Sequence, residues 1–94
     1  MGIRIKAPPS GATVTQNFQA NGAEDSPYSD VSGVIKKIGA TVTGTVVQQP
    51  SAANNGVWAI SFSGVPLGSG YTLTVSAGAN GTAQHTSITV NEGP

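Results

Sequence analysis

From Gly70 to Ala77 the chain reads Gly-Tyr-Thr-Leu-Thr-Val-Ser-Ala, with an apolar side chain at every second position and Thr or Ser between. A period of two puts one set of side chains in a core and the other in water, which is the signature of a half-buried strand. Shorter versions recur along nearly the whole chain. Ile3 and Ile5 alternate with Arg4 and Lys6, an edge strand whose charged outer positions discourage pairing with another chain. Val14–Gly22 follows, with Phe18 and Ala20 inward, then Val31–Ile38, Thr41–Gln48, Gly56–Ser63 and Tyr71–Ala77. Ala83–Asn91 closes the series, with Ile88 and Val90 inward. Turn residues separate these runs: Pro8-Pro9-Ser10-Gly11, Asn21-Gly22, Gly39, Pro50–Asn55, Pro66–Gly70 and Ala79-Asn80-Gly81.

No segment carries apolar residues at three-four spacing over three turns, and 13 glycines with many threonines oppose helix. About seven strands at regular spacing predict an all-β chain, a single antiparallel β-sandwich over residues 3–92. Its core is expected around Trp58, Ile60, Phe62, Leu73 and Val75. Aromatics are 5% of the 94 residues, so each large ring carries a disproportionate share of the apolar area. Alternation reports faces and not neighbours, so it leaves the strand order open. It also leaves the register of Val31–Ile38 open, because Lys36 and Lys37 lie on opposite faces and a one-residue slip exchanges them.

Charge removes several function classes. Charged residues are 9% of the chain, and four Lys and Arg balance four Asp and Glu. A typical domain has ~25%. There is no basic field for nucleic acid and no polybasic run for an anionic membrane. The apolar runs are too short to insert in a bilayer. The chain has no Cys, so disulfides and thiolate metal sites are excluded. Low charge with abundant Ser, Thr and Gly leads us to expect an extracellular or surface domain, a segment of a longer chain.

The ordered set Pro8-x-x-Gly11-Ala12-Thr13-Val14, Phe18-x-Ala20-x-Gly22, Trp58-x-x-x-Phe62, Gly70-Tyr71-Thr72-Leu73-Thr74-Val75 and Ile88-x-Val90 resembles the bacterial immunoglobulin-like (Big-type) domains. The resemblance runs over roughly residues 3–92. It implies an immunoglobulin-like or fibronectin III-like sandwich, of the kind found in tandem in secreted and cell-surface proteins, with no catalytic residues. Leu67-x-x-Gly70-Tyr71 is similar to the turn before a tyrosine corner, where the Tyr hydroxyl caps backbone groups. The chain departs from antibody domains in lacking the Cys pair and in carrying its Trp in the apparent fifth strand.

Few residues suggest chemistry. His85 is the one His; Thr82, Thr86 and Ser87 lie near it in sequence, but hydroxyls occur throughout this chain and no carboxylate is indicated to orient the imidazole, so it reads as a surface residue. Glu24, Asp25 and Asp30 could offer oxygens to Ca²⁺, although their spacing matches no dedicated loop, and a solvated loop is the favoured reading. An inward Lys36 or Lys37 could join an Asn in an isopeptide bond, but no partner Asn is indicated. Asn80-Gly81-Thr82 forms a glycosylation sequon, read here as a hairpin turn. Trp58 as a sugar platform is weighed against Trp58 as core, and its row with Ile60 and Phe62 favours core.

The expectation is therefore a non-enzymatic spacer with no cofactor or metal and with neighbouring domains of the same chain as partners. The alternative is a binding module for a glycan or host surface protein, working through loops 23–30 and 49–56, where Tyr28 is the exposed aromatic. A phage virion decoration domain is the third reading.

Overall fold

The computed structural model describes residues 2–25, 28–78 and 84–93. Among these, nine strands form: β1 (Ile3–Ala7), β2 (Thr13–Val14), β3 (Phe18–Glu24), β4 (Val31–Lys37), β5 (Ala40–Thr43), β6 (Thr45–Gln48), β7 (Val57–Phe62), β8 (Gly68–Ala77) and β9 (Gln84–Glu92). A single 3₁₀ turn, Ala52–Asn54, lies between β6 and β7. The strands make two packed sheets, ordered β1-β3-β7-β6 and β2-β9-β8-β4-β5. All neighbours are antiparallel except β2 and β9, which run parallel with Thr13 opposite Asn91 and Val14 opposite Glu92.

The alternation decides what faces inward. Trp58, Ile60 and Phe62 of β7 and Tyr71, Leu73, Val75 and Ala77 of β8 are all buried. Ala20, Val31, Ile35, Val65 and Val90 complete the inner layer, with Ile5, Val42, Val46 and Ile88 packed at its margins. Phe18 stacks on Phe62 with ring centroids 5.1 Å apart. In β4, Val31, Gly33 and Ile35 face inward, so Lys36 is on the exposed face and Lys37 follows the inner row to its end.

Two expected strands are divided, and one glycine accounts for the second division. Val14–Gly22 is interrupted after Val14: β2 pairs with β9 in one sheet, whereas β3 pairs with β1 and β7 in the other. Thr41–Gln48 keeps its predicted faces but changes sheets at Gly44. Thr43 pairs with Val34 on one side of this point, and Thr45 with Ser61 on the other. A Cβ at position 44 would lie 2.8 Å from the Phe62 ring and collide with Ile60 Cγ2, so only glycine lets the chain cross so close to the core. Ile38 belongs to the tight turn after β4 and is fully exposed at 102%. β9 runs one residue past its expected end and adds Glu92 to the inward row of Ile88 and Val90. The hairpin expected at Ala79-Asn80-Gly81 lies outside the described residues.

The strand directions sort the ends into two poles. β1 starts at one pole, where β3 ends, since Ile3 lies opposite Glu24. β9 ends at the other, where β8 begins, with Glu92 opposite Gly68. The sandwich measures 36 × 22 × 20 Å.

Candidate functional site

The two loops singled out from sequence meet at the pole where β1 begins. Residues 25–30 link β3 to β4, and residues 49–56 link β6 to β7. Main-chain and side-chain bonds join them: the Glu24 amide donates to the Gly56 carbonyl at 2.8 Å, and the Val31 amide donates to Gln49 Oε1 at 2.8 Å. The second loop is fixed internally. The Ser51 amide donates to Asn54 Oδ1 at 3.0 Å, Asn54 Nδ2 donates to the Gln49 carbonyl at 3.1 Å, and Asn55 adopts a left-handed conformation with φ 58°. Gly56, at φ 79°, follows. A side chain there would overlap the Glu24 carbonyl and come within 2.8 Å of Tyr28 Cε1. The Tyr28 ring therefore rests against the bare backbone of Gly56 and keeps 37% of its surface exposed. Exposed Val57, the first residue of β7, follows Gly56 directly, and exposed Val47 lies near the end of β6.

The acidic residues of this pole do not converge. Glu24 is not solvated as the sequence suggested. It is 2% exposed, and its carboxylate accepts the Ser29 amide at 2.7 Å and the Ser29 hydroxyl at 2.8 Å. A buried carboxylate requires such donors, and this one staples its own loop. Asp25 pairs with Arg4 at 2.9 Å on the surface, where an ion pair contributes little. Asp30 is exposed, and its carbonyl accepts the Gly78 amide at 3.0 Å. Among the described residues no three His, Asp or Glu side chains group as a metal centre requires.

The remaining candidates fall elsewhere. His85 is exposed on β9 opposite Ser76. Trp58 is fully buried, which overturns the sugar-platform reading; a ligand has no access to its ring. The sequon Asn80-Gly81-Thr82 lies outside the described residues. Lys37 is half-buried at the opposite pole, its Nζ 5.0 Å from the Tyr71 ring centroid in a cation–π contact. Its ammonium fills the space a side chain at Gly68 would need. Lys36, Lys37, Ile38, Ser69, Gly70 and Thr72 line a shallow concavity of about 670 Å³ there. Below it the Tyr71 hydroxyl donates to the Pro66 carbonyl at 2.8 Å, the bond expected of a tyrosine corner.

Sequence reasoning missed Glu92. It is 4% exposed, and neither carboxylate oxygen has a hydrogen-bond partner among the described residues. Burial pushes its pKa from 4.5 up to about 7. The signal was present, because the row Ile88, Val90 continues by two to Glu92. The sequence matches no protein-family model and no curated protein.

Proposed function

We propose that this chain is an immunoglobulin-like module that spaces or presents neighbouring domains of a bacterial extracellular or cell-surface protein. The strand order supports the fold assignment. Read as A, A′, B, C, C′, D, E, F and G, the nine strands give sheets A-B-E-D and A′-G-F-C-C′, the immunoglobulin pattern extended by two edge strands. The Tyr71–Pro66 bond at the start of F supports it further.

One observation carries the spacer reading: the parallel pair β2–β9, with the chain entering at one pole and leaving at the other. Tension between the ends drives β2 and β9 in opposite directions along their shared axis. The bonds across that seam are Gly11 amide to Thr89 carbonyl at 2.6 Å, Asn91 amide to Ala12 carbonyl at 2.9 Å and Gly93 amide to Val14 carbonyl at 2.7 Å. They lie across the load and share it, whereas a hairpin pulled open at its end loses its bonds one at a time. Low charge makes this resistance insensitive to salt.

Single-molecule pulling tests this reading. Force applied between the N- and C-terminal ends should meet several-fold higher resistance than force applied between the N-terminal end and a handle at Asp30, on the same pole. Equal forces in the two geometries would refute the load-bearing role.

Loop-mediated binding is the second reading, favoured by the joining of the two loops under a partly exposed Tyr28. A glycan array compared with the Tyr28→Ala variant tests it: specific binding lost in the variant supports it, and no binding by either protein refutes it for glycans.

A further inference from the structure

Among the described residues four strands lie at sheet edges, and three of them are guarded. β1 exposes Arg4 and Lys6 and ends before Pro8. β2 is two residues long. β6 carries an irregularity between Val46 and Gln48 that spoils its ladder. The fourth, β5, reads Ala40-Thr41-Val42-Thr43 with no charge, proline or bulge. Natural sheets rarely leave an edge in this condition, because its outward N–H and C=O groups template pairing with another chain.

Register fixes which groups those are. The Gly44 amide donates to the Gly33 carbonyl at 2.9 Å, and these two residues follow in the ladder that sets Thr43 opposite Val34. Hydrogen-bonded and open pairs alternate in an antiparallel ladder. Val42 and Ala40 therefore bond to β4, and the backbone N–H and C=O of Thr41 and Thr43 point away from the sheet.

We propose that β5 is a self-docking edge, through which two copies of this chain pair antiparallel about a two-fold axis at Val42. The geometry is self-complementary. Thr41 of one copy faces Thr43 of the other, each exchanging N–H and C=O, so four main-chain hydrogen bonds form and every outward group is used. Val42 meets its symmetry mate in the close, open pair between them. The charge is permissive: the chain is neutral, and Lys36 on the adjacent strand stands three strand spacings from its mate, about 14 Å, beyond the ~8 Å screening length. Nothing of this kind opposes self-pairing, whereas a charged partner finds no complementary charge on this edge. A four-residue edge covers far less than a standard interface, so association is weak, with Kd above about 10 μM.

Sedimentation equilibrium from ~10 μM to ~1 mM should show a monomer–dimer equilibrium. Amide spectra of the unaltered protein over the same range should move at Thr41 and Thr43 and stay fixed on β1 and β2. Thr41→Pro removes an outward N–H without touching the ladder to β4. Two hydrogen bonds are lost per dimer, so Kd should rise at least ~10-fold. Thr43→Pro should do the same. A monomer throughout the range, a dimer indifferent to both folded variants, or amide shifts centred away from residues 40–43 would overturn the proposal. The amide spectra decide the matter even where neither variant folds.

Discussion

Replacing Glu92 by Gln should remove a pH dependence that the fold imposes on its own stability. In the folded chain the carboxyl is buried with no donor among the described residues, and burial pushes its pKa up to about 7 from an ordinary 4.5. A raised folded-state pKa means that the folded form binds the proton more tightly than the unfolded form. The cost of burying Glu92 is thus small below pH 4.5, grows between pH 4.5 and 7, and is complete above pH 7. The difference of about two and a half pH units corresponds to roughly 3 kcal/mol, at 1.36 kcal/mol per unit. Gln keeps the shape and the buried dipole but never ionises. The variant should match the parent near pH 4.5 and exceed it by about 3 kcal/mol at pH 8, or ~10–20 °C in Tm for a domain of this size. Scanning calorimetry and urea unfolding of both proteins from pH 4 to 8 measure the difference, in which contributions from other groups cancel. A difference that stays constant with pH would refute the reasoning and mean that Glu92 is hydrated in solution, and a parent that gains on the variant as pH rises would mean that it is paired. Lys37 is the nearby cation to consider, since it lies beside Gly68, the residue opposite Glu92. Yet Arg4–Asp25 is the one ion pair among the described residues.

Three further substitutions probe the frame. Gly22→Ala would drive a Cβ into the Arg4 carbonyl and to 2.6 Å from Trp58 Cζ2, and should cost about 3 kcal/mol or more in urea unfolding because backbone cannot give way. Trp58→Ala should cost roughly 3–5 kcal/mol by the same measurement, since the whole indole is buried; an unchanged melting curve would deny it a place in the core. Tyr71→Phe should cost about 1–2 kcal/mol by leaving the Pro66 carbonyl without its donor, and calorimetry of the variant reads that directly.

Faces were legible in the sequence, and neighbours were not. Trp58, Ile60, Phe62, Leu73 and Val75 fall where a period of two puts them, because burying one face of a pleated strand needs only local alternation. Sheet membership depends on contacts between residues distant in sequence. The division at Gly44 was therefore hidden, since Val42, Gly44 and Val46 keep one alternation while the chain passes from one sheet to the other. The register of Lys36 and Lys37 was ambiguous for the same reason, and pairing with β8 resolved it. At the candidate site, Tyr28 and both loops could be picked out by composition. Their contact rests on the Glu24 amide reaching Gly56, 32 residues away in the chain, which no local pattern records. Glu24 and Glu92 show the converse failure: Glu24 was read as part of a solvated loop and Glu92 was passed over, and the strand period placed both inside.

The spacer account depends most directly on the two chain ends lying at opposite poles. The absence of Cys lets spin labels be attached uniquely at Asp25→Cys, beside Gly2, and Leu67→Cys, beside the start of β8. The account predicts an electron–electron distance distribution centred beyond about 25 Å, the rise of a strand the length of β3 with its flanks. A distribution centred well below that distance would put both ends on the same side of the sandwich and contradict the load path through β2 and β9.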